Sequence, residues 1–103
     1  MAAFDLSRRA RADLVDIGVF TAARWGDDQA QSYVSTLYAS LQRLADFPVL
    51  GRSCDDIRLG LFRAEHASHV VLFRRESTGI LVCRVLHKRM LPGAHPIDDE
   101  DQG

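Results

Sequence analysis

Four side chains in the second half of the 103-residue chain are of types that could bind an anion. They are Arg63, His69, Arg84 and His87. Guanidinium and imidazole groups can hold a phosphate or a carboxylate through charge-assisted hydrogen bonds, so this set is a candidate clamp. The same residues are equally compatible with two histidines satisfied within the fold and two surface arginines. The residues alone favour this second interpretation.

The sequence contains none of the common motifs for catalysis or metal binding. HExxH, GxSxG, SxxK, GxGxxG and P-loop patterns are absent, and so are paired cysteines. His66 and His69 are three residues apart, a spacing that on one strand places two side chains on opposite faces. Cys54 and Cys83 form no CxxC pair, and we expect two reduced thiols. We therefore predict no catalytic residue, no metal and no cofactor.

The net charge of −1 conceals an asymmetry. The segment Ile57–Met90 contains seven basic residues and two acidic ones, a net charge of +5, which leaves −6 for the remainder. Four of the remaining acids form the run Asp98–Asp101. A basic region on an acidic body suggests an anionic partner, although arginines that simply solvate a sheet edge would give the same count.

The segment 68–90 must position most of these basic residues, and it predicts two strands joined by a turn. The first strand covers Ser68–Arg74 and the second Ile80–His87, with Gly79 suited to the turn. Alternation along the second strand predicts apolar side chains on both faces: Ile80, Val82 and Leu86 on one, Leu81, Cys83 and Val85 on the other. We therefore expect a central strand that is covered on both sides.

The first half of the chain predicts a short edge strand over Ala3–Leu6 and two helices. Ser7 is the expected N-cap of the first helix, which ends at Trp25-Gly26, and Asp27 or Asp28 is expected to cap the second, which Pro48 terminates. Both helices carry apolar stripes, as expected for an antiparallel hairpin packed on a sheet. Phe47–Asp56 is predicted to be a loop and Ile57–Leu61 a strand that extends through Ala64.

The length predicts a single domain over residues 1–97, followed by an acidic, disordered tail over residues 98–103. No apolar run is long enough to cross a bilayer, and the first residues lack a signal-peptide pattern. We therefore expect a cytoplasmic protein without membrane contacts.

Short motifs in a fixed order over Phe4 to about His95 resemble the ParE toxins of type II toxin–antitoxin modules, within the RelE/ParE superfamily. They are Leu6-Ser7-Arg8-Arg9-Ala10, Asp13-Leu14, Ile17, Trp25-Gly26-Asp27-Asp28-Gln29-Ala30, Tyr33, Pro48, Gly51-Arg52, Ile57-Arg58, Leu61-Phe62-Arg63, Ser68-His69-Val70-Val71 and Arg84-Val85-Leu86-His87-Lys88-Arg89-Met90. The resemblance implies an α+β fold in which an N-terminal strand and a helical hairpin pack on a small, mostly antiparallel sheet.

The resemblance also implies partners. A ParD-like antitoxin would neutralise the toxin, DNA gyrase would be its target, and operator DNA would be reached only through the antitoxin. We predict that the antitoxin binds Leu14, Ile17, Phe20, Arg58, Arg63 and Arg84, because apolar and basic surface would suit an amphipathic acidic segment. We predict that the target binds His87, Lys88, Arg89 and Met90, which combine positive charge with a flexible thioether.

Two alternatives remain open at this point. Some members of the superfamily resemble RelE and are ribosome-dependent mRNA endoribonucleases, which usually carry an arginine where His69 stands and a catalytic tyrosine near the chain end. Here the only tyrosines are Tyr33 and Tyr38. We therefore expect a non-enzymatic toxin. The other alternative is a weakly toxic antitoxin-binding module that acts in transcriptional autoregulation, with the acidic tail folded back on the basic sheet.

Overall fold

A computed structural model describes residues 2–89 of the chain. Strand β1 (Ala3–Leu6) precedes two helices, α1 (Arg8–Trp25) and α2 (Asp27–Asp46), and a single 3-10 turn at Pro48–Leu50. The strands β2 (Arg52–Ser53), β3 (Leu61–His66), β4 (His69–Glu76) and β5 (Gly79–His87) follow. They form one sheet in the order β1-β5-β4-β3-β2, in which only the β1–β5 pair is parallel. The predicted α+β architecture is confirmed.

Local signals fix the two helices. Ser7 is fully buried, and its Oγ accepts a hydrogen bond from the Ala10 N–H at 3.0 Å and donates one to the Cys83 carbonyl at 2.8 Å. The cap therefore also ties α1 to β5. Gly26, with φ of 93°, ends α1 and is itself the N-cap of α2. The predicted cap at Asp27 or Asp28 is wrong, because both residues lie in the first turn of α2. There their negative charges interact favourably with the positive end of the helix dipole.

Both helices pack on one face of the sheet. Their buried side chains join those of the sheet in a cluster that includes Leu14, Leu37, Leu41, Phe73 and Val82. A second cluster lies on the other face and contains no helical residue: Cys54, Leu61, Val70, Leu72, Leu81, Cys83 and Leu86. We call this second side the helix-free face. β5 has buried residues on both faces, as the sequence predicts.

A β-bulge changes the predicted orientation of the end of β5. Leu72 pairs with Arg84 and Phe73 with Val82, so Cys83 has no partner of its own in β4. Beyond this extra residue the alternation is reversed: Val85 packs in the helical cluster and Leu86 on the helix-free face. The predicted grouping of Leu86 with Ile80 and Val82 is therefore wrong, since one inserted residue moves every later side chain to the other face.

The predicted strand at Ile57–Leu61 is wrong over most of its length. Residues 55–60 form turns, and β3 begins only at Leu61. The Cys54 carbonyl accepts from the N–H groups of Ile57 and Arg58, and the Asp55 carboxylate accepts from the Gly60 N–H at 2.9 Å. Local hydrogen bonds of this kind satisfy the backbone without a ladder. Leu59 is consequently exposed.

The β4–β5 hairpin is slightly longer than predicted, and Gly79 has a second role in it. A Cβ atom at Gly79 would overlap the carbonyl oxygen of Ala3. The glycine therefore permits β1 to lie parallel against β5, where Ala3 is paired with Gly79. Neither helix of the described part is apolar enough over its length to cross a membrane. The predicted tail over residues 98–103 lies outside the described residues.

Candidate functional site

A groove of about 590 Å³ opens between α1, the start of α2 and the ends of β4 and β5. We call it the α1 groove. Its lining combines apolar and polar side chains: Asp13, Asp16, Ile17, Phe20, Thr21, Trp25, Gln29, Tyr33, Ser68, His69, Val85, Leu86 and His87. Concave, largely apolar sites with a few placed polar groups are typical binding sites.

The groove exists because β1 covers only the first part of β5. Their pairing ends at Leu6 and Val82, after which the chain leaves the sheet to form α1. Beyond that point the β5 backbone is bonded by side chains of that segment: the Ser7 hydroxyl bonds the Cys83 carbonyl, and the Asp13 carboxylate accepts from the Val85 N–H at 2.9 Å. The edge of β5 at 83–87 is thus flanked by a helix instead of a strand.

Asp13 and Arg84 form a charged bridge beside this edge. The Arg84 guanidinium donates to both carboxylate oxygens of Asp13, from Nε at 2.7 Å and from Nη2 at 2.8 Å, and each side chain is only 12 % exposed. Two parallel bonds in this geometry make a strong pair. Arg84, predicted to bind an antitoxin, is therefore held within the fold by Asp13 at the groove.

The three apolar residues predicted to bind an antitoxin occupy different environments. Leu14 is part of the core, and Ile17 lines the groove while only 8 % exposed. Phe20 also lines it but is 63 % exposed. Trp25, 65 % exposed, completes the wall, although in the sequence it marks only the end of α1. Two exposed aromatic rings in one groove are a better indication of a binding surface than the buried pair.

A polar cluster lies at the other end of the groove. The Tyr33 hydroxyl and His69 Nδ1 are 2.6 Å apart, and the His69 and His87 rings meet edge to face with centroids 5.5 Å apart. His66 pairs with His69 across β3 and β4, so the two share a face, contrary to the single-strand prediction. In the sequence Tyr33 falls in the apolar stripe of α2, and nothing local distinguishes it from the other residues of that stripe.

Burial favours the neutral forms of His69 and Tyr33, the two hydrogen-bonded members of this cluster. The pKa of His69 is lowered from its usual 6.5, chiefly because burial disfavours the charged ring and then because His87 and His66 lie close. Burial also raises the pKa of Tyr33 above 10.0, a shift that a hydrogen bond with the Ser68 backbone opposes. A protonated phenol donating to a neutral imidazole is consistent with both shifts.

The remaining basic residues predicted to bind an antitoxin are not at the groove. Arg63 lies in β3 opposite Arg52 of β2, and its alternation places it on the helix-free face with Leu61. Arg58 lies in the turns before β3. The structure thus separates the predicted apolar contacts from two of the three predicted basic contacts. The four-residue anion clamp is not assembled either, since only His69 and His87 of that set are neighbours.

The residues predicted to bind the target begin at the groove and continue away from it. His87 lines the groove, and its Nδ1 accepts from the Arg89 N–H at 3.1 Å. Lys88 Nζ lies 3.2 Å from a carboxylate oxygen of Glu65, and this contact lowers the pKa of Glu65. Met90 lies outside the described residues. Over residues 2–89 no three His, Cys, Asp or Glu side chains are placed to hold a metal ion.

Comparison with known sequences identifies a family over almost the same span. A family model described as ParE toxin of type II toxin-antitoxin system, parDE, matches residues 4–92. The Toxin ParE1 of Caulobacter vibrioides is 40 % identical over 95 residues, which are 92 % of this chain and 98 % of the relative. The Toxin ParE1 of Mycobacterium tuberculosis is 42 % identical over 86 residues, 82 % of this chain and 88 % of the relative.

A solved structure has the same fold. It is described as a chromosomal ParDE TA system from P. aeruginosa, and its matching chain superposes with a TM-score of 0.70. The match covers 84 % of this chain and 96 % of that one, at 20 % sequence identity. At that identity the similarity concerns the arrangement of helices and strands, which agrees with the one described above.

Proposed function

Because the chain belongs to the ParE toxin family of type II toxin–antitoxin systems, we propose that it is a toxin neutralised by a ParD-like antitoxin. An amphipathic segment of that antitoxin would occupy the α1 groove. The observation that carries this proposal is the wall formed by Phe20 and Trp25, two residues that are more than 60 % exposed beside the edge of β5. Aromatic anchors of this kind dominate the energy of protein interfaces.

The charges at the groove refine the chemistry expected of the bound segment. Asp13 is neutralised by Arg84, whereas Asp16 lies on the same wall without that pairing. An acidic side chain next to Asp16 would be repelled. We therefore expect apolar residues of the antitoxin to face Phe20 and Trp25, and its acidic residues to face elsewhere.

The test is a matched pair of substitutions in α1. Phe20→Ser should weaken antitoxin binding by about 30- to 1,000-fold, the range found for aromatic anchors. Val19→Ser removes a neighbour of similar exposure, 66 %, that does not line the groove, and should change the affinity by less than about threefold. Affinity can be measured by isothermal titration, with thermal unfolding as the control for folding. Equal affinities for both variants and the parent would refute the placement.

We propose that the target is DNA gyrase and that inhibition involves no covalent chemistry in the toxin. The target would be contacted by residues at the end of β5 and just after it: His87, Lys88 and Arg89. The toxin would act in the bacterial cytoplasm. Lys88 and Arg89 are exposed, so Lys88→Ala with Arg89→Ala should leave folding and antitoxin affinity intact and abolish inhibition of supercoiling. Inhibition at full potency would move the target surface elsewhere. No effect of the parent protein on gyrase would reject the target itself.

A second candidate is ribosome-dependent cleavage of mRNA, which the neighbouring Tyr33, His69 and His87 favour because they could exchange protons. The usual tyrosine near the chain end is nevertheless missing, and both tyrosines lie in α2. We expect no cleavage when the toxin is added to translating ribosomes. Cleavage that His87→Ala abolishes, in a variant whose thermal unfolding matches that of the parent, would replace the gyrase proposal with this one.

A weakly toxic protein is the remaining candidate, and it would act through the antitoxin on operator DNA. It requires antitoxin binding but no growth arrest. Expression of the toxin without its antitoxin, with viable counts as the readout, distinguishes the candidates. Normal growth together with tight antitoxin binding would support the autoregulatory role.

A further inference from the structure

Three arginines form a row across the helix-free face of the sheet. Arg52 of β2 lies directly opposite Arg63 of β3, and Arg63 is a diagonal neighbour of Arg74 in β4, since their cross-strand partners are Leu72 and Leu61. Side chains opposite one another on a sheet are about 5 Å apart at Cβ and diagonal ones about 7–8 Å apart. We call these residues the arginine row.

The row is short of acceptors within residues 2–89. The Nε atoms of Arg63 and Arg74 are buried and have no hydrogen-bond partner there, and no ion pair is formed by Arg52 or Arg63 in that range. Arg74 reaches only to 3.9 Å from a Glu76 oxygen. Two acids near the row are already engaged: the Asp55 carboxylate accepts from the Gly60 N–H, and Glu65, whose pKa is lowered by Lys88 and to a smaller extent by Arg63 and Arg52, is paired with Lys88. Like charges opposite each other and buried donors without acceptors both disfavour the folded state.

We propose that the arginine row binds the carboxylates of this chain's own acidic run, Asp98–Asp101. The run has four consecutive acidic side chains, a density that matches three adjacent guanidinium groups. Carboxylates accept paired hydrogen bonds from arginine. Arg63 and Arg74 are only partly buried as residues, so their guanidinium groups can meet a carboxylate although the unpartnered Nε atoms themselves lie beneath the surface.

The chain is long enough to make this contact. β5 ends at His87, which lies opposite His69, while Arg63 is two strands away and level with Leu72. With strands about 4.8 Å apart and a rise of about 3.3 Å per residue, His87 and Arg63 are roughly 14 Å apart. Residues 88–97 can span up to about 33 Å, so the run at 98–101 reaches the row with length to spare.

Covalent attachment favours this occupant over a free anion. A short tether gives the acidic run an effective concentration of the order of millimolar near the row. Weak arginine–carboxylate contacts can therefore be formed within one chain when a separate anion would need a high concentration. The consequence is a self-occupied anion site that an external polyanion must displace. This inference does not depend on the toxin's target or on its antitoxin.

The direct test uses the arginine Nε–H resonances of the full chain in ¹⁵N-resolved NMR. A neutral-tail variant carries Asp98→Asn, Asp99→Asn, Glu100→Gln and Asp101→Asn. We expect this variant to shift the Nε–H signals of Arg63 and Arg74 by more than a linewidth while that of Arg24, on α1, stays fixed. Raising NaCl to about 0.5 M should reproduce the shift in the parent and not in the variant, because salt screens such contacts. Unchanged Arg63 and Arg74 signals would overturn the proposal.

Two adjacent residues of β4 provide a matched control. Arg74 lies on the helix-free face, whereas the Arg75 guanidinium stacks on Phe62 of the helical cluster, 4.2 Å from the ring centroid. Arg74→Gln should move the backbone amide signals of residues 98–101, and Arg75→Gln should not. Equal shifts in both variants would show attraction by overall charge alone and would refute a specific site.

Competition decides whether the run or an external partner occupies the row. A tetraglutamate peptide should bind the neutral-tail variant at least about tenfold more tightly than the parent, since the parent's own run competes with it. Binding that Arg63→Gln abolishes but that is equal in parent and neutral-tail variant would assign the row to an external acidic partner and overturn the intramolecular contact. The Arg24→Gln variant serves as the charge-matched control.

Discussion

Two pairs of charged residues at the sheet differ in sign and in pairing. Asp13 and Arg84 carry opposite charges and form an ion pair, whereas Arg52 and Arg63 carry like charges and lie opposite each other. Beside the α1 groove, opposite charges meet at 2.7 Å with little exposure, and the Val85 N–H adds a third bond to the carboxylate. On the helix-free face, two guanidinium groups stand opposite each other, and Arg63 Nε is without an acceptor in the described part. The first arrangement stabilises the fold, whereas the second suits an added anion.

The difference also divides the surface that the sequence groups together. Phe20 and Trp25 form an aromatic wall beside the groove, and the arginine row lies on the other side of the sheet. The aromatic wall and the arginine row can therefore bind different segments or different partners. Aromatic rings and a paired charge lie at the groove, whereas the helix-free face carries the arginine row.

The largest effect on stability is expected from breaking the Asp13–Arg84 ion pair. Asp13→Ala should destabilise the protein by about 3 kcal/mol, because it leaves the Arg84 guanidinium and the Val85 N–H without the carboxylate. Asp16→Ala, also on α1 but exposed, should cost less than about 0.5 kcal/mol. Urea unfolding of both variants measures the difference. Similar losses for the two would mean that the bridge contributes little.

A smaller loss of stability is expected when the Tyr33–His69 hydrogen bond at the polar end of the groove is removed. Tyr33→Phe removes the hydroxyl that bonds His69 and should cost about 1 kcal/mol. Tyr38→Phe is the control, since Tyr38 contacts Phe4 through its ring and is 40 % exposed. Thermal unfolding followed by circular dichroism gives both values. A Tyr33→Phe variant as stable as the parent would exclude an energetic role for this bond.

The lowered pKa of His69 should make folding stability depend on pH on the acid side of neutrality. The pKa of His69 in the folded protein is below 6.5, so at pH values between the two pKa values the unfolded chain binds more protons than the folded one. The contribution of His69 to folding stability is therefore complete above pH 6.5. It is lost as the pH falls through the folded pKa. Tyr33 shows the opposite sign: its folded pKa exceeds 10.0, so its contribution is lost only as pH rises above that value.

Urea midpoints between pH 7 and pH 5 measure this effect. His69→Gln should flatten the acid side of the profile, while His66→Gln should retain most of the slope, because burial of His69 is the main cause of its shift. The groups that face His69 are Tyr33 of α2, His66 of β3 and His87 of β5. An unchanged slope in His69→Gln would assign the acid sensitivity to another group.

The smallest effect on stability is expected from removing one arginine of the Arg52–Arg63 pair. Arg52→Thr removes a like charge opposite Arg63 and introduces a residue suited to an edge strand, so stability should be unchanged or rise by up to about 0.5 kcal/mol in low salt. Any gain should fade at high salt, where the repulsion is screened. A loss above about 1 kcal/mol would indicate that Arg52 makes a stabilising contact and would weaken the contrast between the two pairs.

Much of the fold follows from local signals. The cap at Ser7, the break at Gly26 and the apolar stripes of α1 and α2 specify the helical hairpin within one or two residues of its observed bounds. The strands β4 and β5 follow from apolar β-branched runs. The turns at 55–60 were mistaken for a strand because Ile57, Leu59 and Leu61 alternate, whereas the Asp55 side chain and the Cys54 carbonyl bond the backbone locally.

The candidate site is less predictable than the fold. Ile17 and Phe20 could be proposed because they lie on an apolar helix, and Trp25 could have been added as an exposed aromatic at its end. The partnership of Tyr33 with His69 spans 36 positions, and that of Asp13 with Arg84 spans 71. No periodicity connects residues at such separations, so the roles of Asp13 and Tyr33 could not be predicted.

The sequence by itself determined both helices, the strands β1, β4 and β5, the family and the excess of arginine in the second half, since these depend on residue type and local spacing. Only the tertiary structure decided which charges are paired. The bulge at Cys83 sets the facing of Val85 and Leu86, and the early end of β1 opens the edge of β5 to Asp13. Pairing depends on strand order and register, which bring distant residues together. For this reason Arg84 is paired with Asp13, whereas the buried Nε of Arg63 has no partner in the described part of the chain.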